Sequence, residues 1–228
     1  HGILHSFPTR RSSDLPKAGP AFASFGAQNG WYAGERRVMD EKVRVRVFRA
    51  GDFGRMVDFE FLWTATDEPV KVIGAPEENK GYGGFGMRMA PFTEPVINTE
   101  AGMQPADSDR QPFQWADFSA KFGGGEKVSG AAIFPDPANP GYPNGWTLRH
   151  YGFLGVAWPG LEPFTFQPGQ TVAARYRVWL HRGDVEWGRV ASACKMYCAP
   201  VPARVLQEAP PGALENQTPN PERNREGK

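Results

Sequence analysis

The chain has 228 residues, a formal net charge of +1, 13% aromatic residues, 27 glycines and 22 prolines. No apolar run approaches the roughly 20 residues of a membrane-spanning helix. The near-neutral charge argues against the clustered basic surface that binds nucleic acid. The length suffices for one domain with a sizeable core, and the composition is typical of a β protein with many turns.

The first fifteen residues differ in kind from the rest. The run from His5 to Leu15 resembles the translation of a common short-read sequencing adapter over eleven consecutive residues. We therefore predict that residues 1–15 are foreign to the domain and pack against nothing, and that some natural N-terminal strands are missing. Burial of Phe7 and Leu15 in the core would contradict this interpretation. Without the segment the formal net charge is zero, and only His150 and His181 remain of the four histidines.

Alternation of apolar and polar residues with a period of two predicts the strands. Residues 43–48 alternate with basic side chains and residues 57–63 with acidic ones, and the glycines between them predict a hairpin with one apolar face. Further strands are predicted at residues 69–73, 85–90, 113–122, 127–134, 146–157 and 171–180. Eight short strands separated by Gly and Pro turns predict an all-β fold, an antiparallel β-sandwich.

Asp58 and Glu60 are two positions apart in the second strand, so they share the face opposite Phe59 and Phe61. Two carboxylates at this spacing are candidates for the pair that flanks a glycosidic bond in sugar hydrolysis. A solvated polar face explains the same pattern without any chemistry, and both interpretations stay open.

A glycine-rich stretch, residues 80–88, contains Tyr82 and Arg88. It lacks the Lys-Ser/Thr ending of a phosphate-binding loop and leads into a strand rather than a helix. The glycines are expected to leave space beside Arg88, which would contact an anionic or hydroxyl-rich ligand. The alternative is a structural ion pair under a loop.

A Pro-rich loop then leads into a strand that carries Trp146, Arg149, His150 and Tyr151. Alternation places Trp146 and His150 on one face, and Arg149 and Tyr151 on the other. An imidazole titrates near neutral pH, so His150 is a candidate general acid or base. A hydrogen-bonded structural histidine is the alternative.

The C-terminal part begins with Asp184, a predicted N-cap that is followed by apolar residues at helical spacing. Cys194 and Cys198 have no second Cys or His pair, so they do not form a zinc-finger site, and we interpret them as partly buried apolar residues of open redox state. Beyond Pro200 the composition predicts a disordered tail. The predicted organisation is a domain over residues 16–199 and a tail over residues 200–228.

Several of these elements occur in an order that resembles the bacterial PmoA-like family, which carries the label methane oxygenase. They are the Pro/Asn loop, the W-x-x-R-x-Y-G motif of residues 146–152, the Gln-Pro-Gly-Gln of residues 167–170 and the strand of residues 175–183. The resemblance covers about Tyr82 to Tyr197. It implies a galactose-mutarotase-like supersandwich, a carbohydrate-related role and a periplasmic or secreted location. It also implies an upstream His-rich segment, and nothing of that type precedes Trp31 here.

Two hypotheses about function follow. The first is a sugar-active hydrolase, lyase or epimerase in which His150 and a carboxylate, Asp58 or Glu60, perform acid–base catalysis. Its substrate contacts are Tyr82, Arg88, Trp146, Arg149 and Tyr151, because aromatic faces and hydrogen-bonding side chains hold sugars. The second is a non-catalytic carbohydrate- or protein-binding module.

A carboxylate close to His150 at the bottom of a pocket would favour the enzyme. Oxygenation at copper or iron needs about three His or carboxylate ligands on one metal. Two histidines in different predicted strands do not provide them, so we predict neither a metal nor another cofactor. The oligomeric state is not indicated by the sequence.

Overall fold

The computed structural model describes residues 9–13, 15–76 and 80–199, with backbone alone for residues 9–13. The strands are β1 (Thr9–Ser13), β2 (Lys17–Ala18), β3 (Phe22–Ala33), β4 (Arg36–Phe48), β5 (Gly54–Ala65), β6 (Val70–Val72), β7 (Phe85–Arg88), β8 (Phe92–Thr99), β9 (Gly102–Gln104), β10 (Ser108–Pro112), β11 (Ala116–Phe122), β12 (Val128–Pro135), β13 (Gly145–Arg149), β14 (Phe153–Val156), β15 (Phe164–Phe166) and β16 (Thr171–Arg182). The helix α1 (Val190–Cys198) follows the last strand.

The strands form two main sheets. A ten-stranded sheet has the order β1-β3-β4-β5-β16-β12-β11-β8-β9, with β2 paired to β3, and a four-stranded sheet has the order β10-β13-β14-β7. Strands β15 and β6 form a separate pair. Neighbouring strands are antiparallel throughout the two main sheets. The predicted all-β sandwich with one C-terminal helix is confirmed.

The main core lies between the two sheets. We call the face of the ten-stranded sheet that packs against the four-stranded sheet its inner face, and the opposite one its outer face. Alternation puts Phe59, Phe61 and Tyr176 on the inner face, where they meet Trp146 and Leu148 from the smaller sheet. Interdigitated apolar side chains from two sheets are what hold a sandwich together.

The predicted hairpin is confirmed, because β4 and β5 pair with Val45 opposite Phe59 and Val47 opposite Val57. The single strand predicted over residues 146–157 is wrong. It is the hairpin of β13 and β14, in which Arg149 pairs with Phe153 and the turn occupies residues 150–152. Gly152 closes the turn at a φ of 103°, and its amide donates a hydrogen bond to the Arg149 carbonyl at 3.0 Å.

The N-terminal segment departs from its prediction. Strand β1 pairs with β3, with Thr9 opposite Trp31, so the expectation that this segment packs against nothing is wrong for residues 9–13. Leu15 is 85% exposed, so it is not buried in the core, as we predicted for this residue. Phe7 and the predicted tail over residues 200–228 lie outside the described residues.

The helix begins later than Asp184. The Asp184 carboxylate accepts hydrogen bonds from the amides of Glu186 and Trp187 at 3.1 and 2.9 Å, but it caps a turn, and α1 starts at Val190. Val190 and Cys194 are buried on the outer face of the ten-stranded sheet, against Ala132, Phe134 and Trp179. No helix among the described residues is long and apolar enough to cross a membrane.

Candidate functional site

A cluster of aromatic and basic side chains lies on the face of the four-stranded sheet that points away from the core. We call this cluster the tyrosine–arginine platform, and it comprises Tyr82, Arg88, Arg149, Tyr151 and Phe153. Met87, Leu154 and Leu148 point into the core from β7, β14 and β13, so their neighbours in these strands point outward. Four of the five predicted substrate contacts therefore come together, and only Trp146 does not.

The ring of Phe153 lies along the strands rather than standing away from them. Gly86 and Gly155 pair across β7 and β14 beneath it. A Cβ atom added at Gly86 would lie 2.9 Å from the Phe153 ring, and one added at Gly155 would lie 2.7 Å from it. The two glycines therefore provide the flat surface on which this ring rests.

Arg149 is the buried member of the platform, and its side chain is only 5% exposed. Its Nε donates a hydrogen bond to the Tyr82 hydroxyl at 3.0 Å, and its Nη2 donates to the Asp109 carboxylate at 2.5 Å. Its Nη1 donates to the carbonyls of Ser108 and Leu148 at 2.9 and 3.0 Å. Burial acts to lower the pKa of Arg149, but the hydrogen bonds with Asp109 and Tyr82 raise it. Arg149 is thus a positioning residue for Tyr82, not the ligand contact that we predicted.

Two hydroxyl groups stand at the exposed end of the platform. The Tyr82 and Tyr151 oxygens are 3.5 Å apart, and Tyr151 is 57% exposed. The hydrogen bond with Tyr82 raises the pKa of Tyr151, burial adds to this, and the charges of Arg149 and Arg88 oppose it. The Tyr151 hydroxyl is therefore a neutral donor and acceptor toward a bound molecule.

Arg88 supplies the exposed positive charge of the platform. Its guanidinium carbon lies 5.2 Å from the centre of the Phe153 ring, a cation–π contact. Within the described part of the chain, no carboxylate pairs with this guanidinium, so the ion pair that we left open for Arg88 does not form there. Its hydrogen-bond donors stay available to a ligand.

The glycine-rich stretch before β7 packs closely instead of leaving space. A Cβ atom on Gly74 would lie 2.7 Å from the carbonyl oxygens of Gly81 and Gly160. Gly84 has a φ of 73°, and a Cβ atom there would lie even closer to the Val156 carbonyl oxygen. The glycines are therefore required by backbone-to-backbone packing, and the openness beside Arg88 comes from its position on an edge strand.

His150 lies in the β13–β14 turn and is held by the segment before β10. Its Nδ1 lies 2.9 Å from the Asp107 carboxylate, its amide donates to the same oxygen at 2.8 Å, and its Nε2 lies 3.1 Å from the Gln104 carbonyl. Burial acts to raise the pKa of Asp107, but the hydrogen bonds from the His150 amide and ring hold it below its usual value. Each ring nitrogen of His150 thus lies next to a hydrogen-bond acceptor, which is typical of a histidine with a structural role.

Asp58 and Glu60 are not near His150. They lie on the outer face of the ten-stranded sheet, whereas the four-stranded sheet that carries His150 packs on the inner face. Arg177 binds both oxygens of Asp58 at 2.6 and 2.8 Å, and Arg175 binds Glu60 at 2.9 Å. The structure thus pairs the two carboxylates with cross-strand arginines, which agrees with the polar-face interpretation.

Trp146 is fully buried, and its indole Nε1 donates to the Phe113 carbonyl at 2.8 Å. The predicted alternation of Trp146 and Arg149 is right, but the face that Trp146 occupies is the core. Sequence reasoning missed Phe153, Asp107 and Asp109. The alternation of Phe153 with Leu154 and Gly155 is the signal that could have identified the first of them.

No group of three or more His, Cys, Asp or Glu side chains that could hold a metal occurs in the residues that the structure describes. His150 pairs with Asp107, and His181 pairs with Asp117 on the far side of the ten-stranded sheet. The His and carboxylate donors of the described residues therefore do not fit the metal centre of an oxygenase.

Residues 9–195 match the model of a family described as a family of unknown function, DUF6807. This range is most of the chain. No curated protein and no solved structure matches significantly. The PmoA-like resemblance and the likeness to galactose mutarotase stay predictions.

Proposed function

Because this chain belongs to the DUF6807 family, whose description names no activity, we propose from the site's geometry that the protein binds a saccharide on the tyrosine–arginine platform. The observation that carries the proposal is the convergence of Tyr82, Arg88, Tyr151 and Phe153 on one exposed face.

The aromatic side chains support a sugar as the ligand. The rings of Tyr82 and Phe153 are 5.8 Å apart at an angle of 48°. Apolar ring faces can pack against the C–H groups of a pyranose, while the paired hydroxyls of Tyr82 and Tyr151 can exchange hydrogen bonds with sugar hydroxyls. Because Arg149 holds the Tyr82 hydroxyl from below, this donor and acceptor is in place before a ligand arrives.

Arg88 specifies the class of saccharide. An exposed guanidinium beside a ring can bind a carboxylate with two parallel hydrogen bonds. We therefore expect the platform to prefer a saccharide that contains a uronic acid over a neutral one of the same length.

The test is calorimetric titration of the full chain with matched uronate and neutral oligosaccharides. We expect Arg88→Gln to weaken uronate binding about tenfold and to leave neutral binding unchanged, because a charge-assisted hydrogen bond contributes roughly 1.5–3 kcal/mol. Tyr151→Ala should weaken both by about three- to tenfold through lost ring contact.

The matched control is Phe25→Ala, which removes an exposed ring from β3 in the other sheet. This variant should bind both ligands as the unmodified chain does. Equal binding by Tyr151→Ala and the unmodified chain, or no binding across a broad glycan panel, would refute the proposal.

One observation favours a second candidate, a sugar-active enzyme. Asp107 and His150 form a hydrogen-bonded pair at 2.9 Å beside the platform, an arrangement in which a carboxylate orients an imidazole. This pair replaces the predicted pairing of His150 with Asp58 or Glu60. The His150 Nε2 is hydrogen-bonded to the Gln104 carbonyl. Acid–base catalysis by Nε2 therefore requires that this hydrogen bond breaks when substrate binds.

The enzyme hypothesis is tested by turnover on those saccharides that bind. His150→Gln should abolish turnover and retain binding, because Gln can still donate to Asp107 but cannot titrate. Turnover that survives this change would exclude His150 as the acid–base group.

A further inference from the structure

A cleft opens at one end of the sandwich, next to the platform, and Arg88 belongs to the lining of both. It has a volume of about 460 Å³ and lies where the end of β7 and the residues after it face the inner side of the ten-stranded sheet. Its apolar lining includes Met87, Met89, Phe122, Ala131 and Leu180. Leu180 is 41% exposed although it occupies an inner-face position, so the core is uncovered here.

Besides Arg88, two arginines of the ten-stranded sheet line this cleft. Arg55 pairs with Leu180 across β5 and β16, and alternation places Arg55, Leu180 and Arg182 on the inner face. Arg182 donates to the Asp52 carbonyl at 2.5 Å, and no carboxylate among the described residues forms an ion pair with it. Arg55 has no hydrogen-bonded or ionic side-chain partner within the described residues.

No Asp or Glu occurs among the described residues that line the cleft. Two arginines of the outer face are different, since Arg175 and Arg177 are both bound to carboxylates. The cleft therefore combines an apolar floor with uncompensated positive charge at its rim. That combination is complementary to a molecule with one anionic end and an apolar body.

We propose that this cleft binds a medium-chain fatty acid, with the carboxylate on Arg55 and Arg182 and the alkyl chain along Leu180, Met87 and Met89. The volume is within the range of about 300–1,000 Å³ that small-molecule pockets occupy. Two methionines suit a flexible alkyl chain, because their unbranched side chains adapt to irregular apolar surfaces. This site goes beyond the saccharide platform, because none of the five residues proposed to contact the fatty acid belongs to that platform.

The experiment is calorimetric titration of the full chain with decanoate, 1-decanol and decyltrimethylammonium, each kept below its micelle concentration. Decanoate should bind at one site, at least tenfold more tightly than the cationic amphiphile. Arg55→Gln should weaken decanoate binding about tenfold and leave 1-decanol binding unchanged, because it removes a charge-assisted hydrogen bond and no apolar contact. Leu180→Ser should weaken both ligands.

Arg44→Gln is the matched control, since it removes the same charge from the outer face of the sheet. It should leave decanoate binding unchanged. Equal affinity for decanoate and decyltrimethylammonium, or decanoate binding that Arg55→Gln does not alter, would overturn the proposal. Tyr151→Ala should retain decanoate binding, so failure of the saccharide platform and failure of the fatty-acid cleft are distinguishable.

Discussion

The imidazole Nε2 of His181 lies 2.7 Å from the Asp117 carboxylate, and neither side chain has any exposed surface. Ser119 donates to the other oxygen of that carboxylate at 2.7 Å. The ring fits only because Gly130 and Gly188 flank it, since a Cβ atom at Gly130 would lie 2.5 Å from the ring. This buried network joins β11, β12 and β16 on the face that α1 covers.

We predict that His181→Ala lowers the free energy of unfolding by about 3–5 kcal/mol, because it leaves the buried Asp117 carboxylate without its partner. Ser119→Ala should cost less, about 1.5–3 kcal/mol, the value of one hydrogen bond to a charged group. Urea unfolding followed by Trp fluorescence measures both. A loss below about 1 kcal/mol for His181→Ala would contradict the role assigned to this pair.

Arg149→Leu should destabilise the fold by about 2–4 kcal/mol, because two backbone carbonyls and the half-buried Asp109 carboxylate lose the donor that the buried guanidinium provides. Arg88→Leu, on the exposed side of the platform, should change stability by less than about 0.5 kcal/mol. Thermal and urea unfolding of the two variants make the comparison. Equal effects would show that Arg149 does not position the platform.

The contact between Gly155 and Phe153 predicts a coupled pair of substitutions. Gly155→Ala alone should cost about 1–3 kcal/mol, because the new methyl group overlaps the Phe153 ring. In a Phe153→Ala background the same change should cost much less, since the ring is gone. A double-mutant cycle by urea unfolding measures the coupling free energy. Additive effects would mean that the ring does not rest on Gly155.

The Asp107–His150 pair predicts a dependence of stability on pH. The pKa of Asp107 is lowered in the folded state from the ordinary 3.8, so the pair's stabilisation is fully present above that value and is lost as the pH falls through the folded pKa. The difference in unfolding midpoint between the unmodified chain and Asp107→Asn should therefore shrink below a pH of about 3.8. A difference that stays constant into stronger acid would contradict this assignment.

The thiols of Cys194 and Cys198 are 3.7 Å apart on adjacent turns of α1. The hydrogen bond from Cys194 lowers the pKa of Cys198, whereas that bond and burial raise the pKa of Cys194. Iodoacetamide should therefore modify Cys198 first, because the thiolate is the nucleophile. Peptide mapping after limited alkylation checks the order, and Cys194→Ala should slow modification of Cys198. Faster reaction at Cys194 would contradict it.

The strand patterns were predictable wherever a long period-two run pairs with an adjacent run. Residues 43–48 and 57–63 alternate clearly, and their hairpin formed as expected. Strands β8 to β10 were not predicted, because their residues are half-exposed and alternate weakly. The turn at residues 150–152 was also missed, since Arg149 and Phe153 both point outward and the alternation does not break across it.

The candidate site was predictable in its residue types and not in their roles. Tyr82, Arg88, Arg149 and Tyr151 were expected to contact a ligand, and they do share one face. Arg149 is buried because its guanidinium finds acceptors in β10, at Ser108 and Asp109, about forty residues away in the chain. The residues next to Arg149 in the sequence therefore do not predict that these partners surround it.

By itself, the sequence determined which residues of a strand share a face, because the extended backbone turns successive side chains to opposite sides. For this reason Asp58 and Phe59 are on different faces of β5, and Trp146 and Arg149 are on different faces of β13. The tertiary structure decided which of those faces is covered, since the packing of one sheet on another depends on contacts between segments distant in sequence. Trp146 is therefore part of the core, Arg149 is buried and holds Tyr82 in place, and Tyr151 is exposed, although the three residues lie within one short stretch.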